Sequence, residues 1–294
     1  MNEPTYHPEL EALIRQVRTI DHEASGMLNA PAEVRGPGFF PGAWGGPDPS
    51  RAISQRPIMV LGQDQDNWVG FKKSMRKRTE EYSPTWRNLR VLLDQAAIDL
   101  DAVFLTNFIV GFRRQGFSTG PSPALASPAY LQASAQFFLY QLSIQRPRLI
   151  ITLGVQPLVL LGLVSEFVLY RTVSLATFDD VAERGLAYTA NVVFEGVPDI
   201  TPTVVSICHP CYPQNGPKRR FAPDQPFHDE PSLLRFAFAQ ACGAGQLVCH
   251  QPAEARSNAF ITLAHPHFNT LRPVHAQPWL PPFKARRCTV GQGR

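Results

Sequence analysis

The sequence has no hydrophobic run long enough to cross a membrane and no cysteine before Cys208. A membrane helix needs about 18 uninterrupted apolar residues, and the first residues lack the basic and apolar parts of a signal peptide. All five cysteines follow residue 207, so no disulfide framework spans the fold. We therefore expect a cytoplasmic protein with no membrane partner.

The two common phosphate-binding motifs are also missing, since neither GxGxxG nor GxxxxGK[ST] occurs. The absence of both motifs argues against folds that bind nucleotide cofactors or NTPs. The cysteines do give a C-x₂-C-x₃₀-C-x₆-C pattern, and four thiolates can hold zinc or an iron–sulfur cluster. Because Cys208 falls in a predicted buried strand, where a free cysteine behaves as a small hydrophobe, we expect no metal and no cofactor.

Positive charge is unevenly distributed along the chain. The net charge is +4, but residues 244–294 contain six Lys or Arg and one acid, so the other 243 residues sum to −1. Any nucleic-acid surface on this protein must therefore be local.

Short apolar runs alternate with helical patterns after residue 56. Each run ends at Gly, Asn or His, and continuous apolar runs are typical of parallel strands buried on both faces. The alternation predicts an α/β fold, a three-layer α/β/α arrangement around a central, mostly parallel sheet of about four strands. The predicted strands are 57–62, 102–107, 148–154 and 203–210; the predicted helices are 84–98, 127–145, 155–164 and 230–242, and a hairpin is expected within 183–196.

The composition divides the chain into three parts. Residues 1–49 contain a predicted helix at 8–18 and a segment rich in Pro and Gly, and residues 50–243 form the α/β domain. Residues 244–294 are a basic tail rich in Pro and His, which we predict to be poorly ordered.

Polar residues follow three of the predicted strands. Gln63 and Asp64 follow the first, Asn107 ends the second and His209 ends the fourth. In open parallel sheets, ligands bind beyond the carboxyl ends of the strands. Asp and Asn also cap helices, but three polar strand ends at one edge favour a functional site.

These residues resemble motifs of the uracil-DNA glycosylase superfamily. Gly62-Gln63-Asp64 resembles the start of the GQDPYH water-activating motif, and His209-Pro210-Cys211 is similar to the His-Pro-Ser motif. The stretches 83–93, 103–111 and 146–162 resemble the Pro/Ser-rich loop, the strand ending in the base-reading Asn, and the third strand with its helix. The likeness covers about residues 55–242, with Gln65, Asp66, Asn67 and Cys211 departing from the family pattern.

The resemblance implies a DNA glycosylase that removes uracil or a related base without a cofactor. Asp64 would steer the attacking water and stabilise the sugar cation, and His209, as a neutral imidazole, would stabilise the departing base anion. Asn107 would read the edge of a flipped base. The expected base-binding residues are Gln63, Asp66, Phe71 and Asn107, with Phe71 stacking on the base.

Basic residues follow three of the motif strands, which favours a phosphate-binding rim. We expect a monomer that binds single- or double-stranded DNA. Two alternatives remain open: a catalytically inactive nucleic-acid-binding member of the same fold, and an N-glycosidase acting on free nucleosides. The expected DNA-binding residues are Ser83, Pro84, Arg113, Arg114, Pro210, Tyr212, Lys218, Arg219 and Arg220.

Overall fold

A computed structural model describes the α/β core of the chain and a few residues before it. The described residues are 12, 27–28, 42–43, 55–65, 67, 69–70, 84–114, 120–166, 177–212, 221 and 225–243. The predicted helix at 8–18, apart from Ala12, and the predicted tail at 244–294 lie outside them.

The described strands are β1 (Met27–Leu28), β2 (Gly42–Ala43), β3 (Ile58–Gly62), β4 (Val103–Asn107), β5 (Phe112–Arg113), β6 (Leu149–Leu153), β7 (Tyr188–Thr189) and β8 (Thr203–Ile207). Six of them form one sheet in the order β2-β4-β3-β6-β8-β7, with four parallel strands at its centre. The two outer strands, β2 and β7, are antiparallel to their neighbours and only two residues long. A separate antiparallel pair joins β1 to β5.

The four central strands coincide with the four predicted apolar runs, which confirms a mostly parallel sheet. The hairpin predicted within 183–196 is wrong, because β7 pairs with β8 and not with its neighbours in sequence. The edge of β8 offers main-chain groups that β7 satisfies, whereas Phe194 forms a bridge with Ser165. Strands β1 and β2 show that parts of residues 1–49 pair with the α/β domain.

The four helices predicted within 84–242 are present, with small differences at their ends, and a further short helix at 178–183 was not predicted. The first ends three residues early, close to Ala97, whose φ is positive. Ser127 caps the second through the Tyr130 amide, and Asp229 forms a capping box with Ser232 at the last. The helices are α1 (Pro84–Gln95), α2 (Pro128–Gln145), α3 (Val155–Leu161), α4 (Phe178–Glu183) and α5 (Glu230–Cys242); 3₁₀ turns occupy Leu100–Ala102 and Pro123–Ala126.

The helices cover both faces of the sheet. Helix α5 packs on α1, β6 and β8, and α3 packs on β6 and β8. The right-handed crossovers that parallel strands adopt place α1 on one face and α2 and α3 on the other, and α5 lies with α1 because these two helices pack together. Nearly every residue of the four central strands is therefore buried, and the three-layer α/β/α prediction is confirmed. Among the described residues, no helix is long and apolar enough to span a membrane.

Candidate active site

The carboxyl ends of the central strands meet at one edge of the sheet. Gly62 at the end of β3 is in register with Asn107 at the end of β4, and His209 follows β8 by two residues. The crossover after β3 leads to β4, and the crossover after β6 leads the opposite way to β8. The direction of the crossovers thus reverses between β3 and β6. Open α/β sheets bind ligands at such a switch point.

Gly62 allows the Asn107 side chain to lie directly against the end of β3. A Cβ atom at position 62 would overlap Asn107 Oδ1. The main chain continues the ladder beyond both strands, because Phe108 N donates to the Gly62 carbonyl (3.0 Å) and Ile109 N to the Gln63 carbonyl (2.9 Å). These contacts fix the chain as it enters Asp64, so the amide and the carboxylate belong to one rigid unit.

Asp64 forms a buried ion pair with Arg113. The Nε of Arg113 lies 2.7 Å from Asp64 Oδ2, and the side chains of Arg113 and Asp64 are 4% and 6% exposed. The sequence predicts that Arg113 binds DNA, and the structure places its side chain in the interior, paired with Asp64. Its guanidinium lies inside the protein, where it contacts the Asp64 carboxylate and the Gly120 carbonyl.

Two of the residues that depart from the family motif hold the Asp64 loop in place. Gln65 is buried, and its Oε1 accepts a hydrogen bond from the Gly111 amide at 3.2 Å. Asn67 bridges to the main chain of Arg113, and its Oδ1 accepts from the Gly70 amide at 2.9 Å. Both residues therefore join this loop to the segment that carries Arg113.

Tyr130 is a residue of this region that the sequence analysis missed. It is fully buried, and its hydroxyl donates to the Val110 carbonyl. Burial and the nearby charge of Asp64 raise the pKa of Tyr130 above its usual value. A buried tyrosine hydroxyl needs a partner, but Ser134, Gln141 and Gln145 of the same helix are buried as well, so nothing in the sequence singles out Tyr130.

His209 presents a neutral imidazole with a defined tautomer. Its Nδ1 accepts a hydrogen bond from the Cys211 amide at 3.3 Å and lies 2.9 Å from the Cys211 Sγ. Burial lowers the pKa of His209 and raises the pKa of the Cys211 thiol, so the thiol is protonated and can donate to Nδ1. With Nδ1 an acceptor, the ring proton is on Nε2, which becomes a hydrogen-bond donor.

Three contacts from other elements support the loop that carries His209. Asn88 of α1 donates from Nδ2 to the Pro210 carbonyl at 2.7 Å. The Glu230 carboxylate at the start of α5 accepts a hydrogen bond from the Cys208 amide. The Gly154 amide, directly after β6, donates to the Ile207 carbonyl at the end of β8 at 2.8 Å. Sequence reasoning missed Asn88 and Glu230, because each contact joins residues far apart in the chain.

The other predicted DNA- and base-binding residues differ in their exposure to solvent. Tyr212 is 40% exposed, and its ring centroid lies 6.3 Å from that of His209. Pro84 and Arg114 are exposed, whereas Pro210 is buried. The residues that lie outside the described residues are Asp66, Phe71, Ser83, Lys218, Arg219 and Arg220.

Gln63 faces the buried ion pair. Its Oε1 lies 3.5 Å from Arg113 Nη2, and its Nε2 is buried with no hydrogen-bond partner in the described structure. Because a buried amide donor is costly to leave unpaired, a ligand acceptor would find a complementary group here.

A pocket of about 280 Å³ lies at the opposite edge of the sheet, where β6 and β8 begin. Arg146, Arg148 and Asp199 are among its lining residues, and Arg146 is already paired with Asp199 at 2.7 Å. The chemistry of the strand ends makes the other edge the candidate active site. Within the described part of the chain, no group of three His, Cys, Asp or Glu side chains could hold a metal ion.

In comparisons with known proteins, the chain matches no protein-family model and no curated protein. The residues that indicate a function are therefore those at the polar edge of the sheet, Asp64, Asn107 and His209.

Proposed function

We propose that this protein is a DNA glycosylase that hydrolyses the N-glycosidic bond of uracil or a related base. The observation that carries the proposal is the arrangement at one sheet edge of a carboxylate, an amide and a neutral imidazole. Asp64 follows β3, Asn107 ends β4 in register with Gly62, and His209 follows β8. Each group belongs to a different strand end, as expected for an α/β active site.

The proposed reaction breaks the bond between the sugar C1′ and the base nitrogen. The bonding electron pair leaves with the base, and the Nε2–H of His209 donates a hydrogen bond to the resulting anion. A water oxygen then bonds to C1′, and its proton passes to the Asp64 carboxylate, which also stabilises the positive charge on the sugar. The Asn107 amide carries both a donor and an acceptor for reading the base edge.

The ion pair between Asp64 and Arg113 favours a second candidate function. A carboxylate that is 6% exposed and paired at 2.7 Å can be a structural group in a protein that binds nucleic acid without hydrolysing it. Base release by the wild-type protein separates the two candidates.

The test is base release from oligonucleotides that contain uracil, hypoxanthine or a mismatch, in single- and double-stranded form. Free deoxyuridine in the same assay tests for a nucleosidase. We expect Asp64→Asn to reduce base release by about 10²–10⁴-fold and to leave DNA affinity nearly unchanged, since the carboxylate acts on the transition state.

Asp94→Asn is the matched control, because Asp94 is an exposed carboxylate on α1. Wild-type activity that survives in Asp64→Asn would assign water activation to another group. A wild-type protein that binds these oligonucleotides and releases no base would support the second candidate instead.

A further inference from the structure

Arg113 is the ion-pair partner of Asp64, the proposed catalytic carboxylate. We propose that Arg113 is a positioning residue that acts through Asp64 and does not contact DNA phosphates. This inference rests on the proposed function, because it assigns the orientation of the proposed catalytic group to a second residue.

The burial of Arg113 separates it from the exposed basic residues. Its side chain is 4% exposed, and its Nη2 donates to the Gly120 carbonyl at 2.8 Å while its Nε contacts Asp64 Oδ2 at 2.7 Å. Because so little of this side chain is exposed, a phosphate outside the protein could reach the guanidinium only after the surrounding residues had moved. Arg114, the next residue, is exposed and donates from Nε to the Met27 carbonyl at 3.1 Å.

The main chain at Arg113 is held from two sides. It pairs with Met27 of β1 and bridges to Asn67 in the Asp64 loop. The guanidinium therefore starts from a fixed backbone position, and its planar fork constrains the direction of the hydrogen bond to Asp64. A lysine in its place would keep the charge but would lose this geometry.

The chemistry of Asp64 makes the orientation of its carboxylate important. A general base has to be within hydrogen-bond reach of the water that it deprotonates, and a misplacement of about 1 Å can reduce a rate about 100-fold. An unpaired buried carboxylate is also strongly destabilising. Arg113 satisfies both requirements, since it neutralises the carboxylate and holds Oδ2 in one direction.

The kinetic test is a double-mutant cycle of Arg113→Lys and Asp64→Asn, assayed by base release. We expect Arg113→Lys to lower kcat by about 10–100-fold, with KM for the oligonucleotide changed by less than about twofold. In the Asp64→Asn background the same substitution should cause no further loss. Arg184→Lys, an exposed arginine at the end of α4, is the control and should leave kcat unchanged.

Two outcomes of this cycle would overturn the inference. An increase in KM with kcat unchanged would make Arg113 a substrate-binding residue. An equal loss of rate in both backgrounds would show that Arg113 acts independently of Asp64.

Thermal unfolding provides a readout that does not need activity. We expect Arg113→Gln to lower Tm by roughly 10 °C, and Asp64→Asn in the same chain to restore much of that loss. Additive losses of Tm would overturn the inference whatever the activity. A wild-type protein that releases no base, together with restored Tm, would overturn the proposed function and leave the pairing of Arg113 with Asp64 supported.

Discussion

His209 shows how neighbouring atoms set the chemistry of a single residue. The Cys211 amide donates to its Nδ1, and burial lowers its pKa. The first contact decides which ring nitrogen carries the proton, and the second effect keeps the ring neutral. Together they make Nε2–H a donor, the form that the stabilisation of a base anion requires.

The lowered pKa of His209 predicts how stability depends on pH. Its folded-state pKa lies below the ordinary value of 6.5, so below about pH 6.5 the unfolded state binds more protons than the folded state. The neutral ring therefore contributes its full stability above pH 6.5, and this contribution falls as the pH drops toward the folded-state pKa. We expect the wild-type Tm to decrease more between pH 7 and pH 5 than the Tm of His209→Gln.

His228→Gln is the control for this measurement, because the His228 side chain is 87% exposed. Its Tm should follow the wild-type pH dependence. If His209→Gln also follows the wild-type curve, the buried imidazole does not control the acid sensitivity of the fold.

Among the elements, the sequence revealed those with a long, regular pattern. The four central strands were predictable because parallel strands buried on both faces are continuously apolar. Strands β2 and β7 have two residues each, too few for any periodicity. The pairing of β7 with β8 was missed because the tertiary fold, and not a local sequence pattern, brings so short a strand next to β8.

The Asp64–Arg113 ion pair was hidden for a similar reason. The two residues are 49 positions apart in the chain, and Arg113-Arg114 has the sequence of an exposed basic pair. Arg113 pairs with Met27 of β1, and β1 has only two residues, too few for a sequence pattern. The types of the site residues could therefore be predicted, but not the partner of the carboxylate.

The register of β3 with β4 predicts the effect of a methyl group at Gly62. In Gly62→Ala the new Cβ would overlap only Asn107 Oδ1, the end of a side chain, so we expect the amide to move and the fold to remain. Loss of the base-reading hydrogen bond that we propose for Asn107 would cost about 1–3 kcal/mol, so kcat/KM for base release should decrease about 5–150-fold at nearly unchanged Tm.

Asn107→Ala tests this explanation, because it removes the group that the methyl would displace. Gly62→Ala should cause little further loss in kcat/KM when it is added to Asn107→Ala. A full additional loss in the double variant would mean that the methyl group damages the Asp64 loop and not the position of Asn107.

At the scale of the whole molecule, the structure reduces the number of basic residues that could contact DNA from the surface. Of the basic pair that follows β4, Arg113 is internal and only Arg114 is exposed. Residues 1–243 sum to a charge of −1, and a weakly acidic body binds a polyanion only through a local basic cluster. A run of five Lys or Arg at 72–78 remains a candidate, and so does the run Lys218, Arg219 and Arg220, which begins seven residues after Cys211.

Salt dependence tests whether this run contacts phosphates. If each of its three side chains neutralises one phosphate, the slope of log affinity against log salt contains about −0.9 from each. Replacing Lys218, Arg219 and Arg220 together with Gln should flatten the slope by about two to three units. Arg146→Gln with Arg148→Gln, at the opposite edge of the sheet, should leave the slope unchanged. An equal effect per removed charge in both variants would indicate a general dependence on net charge, and an unchanged slope in the triple variant would assign the run to ordinary solvated surface.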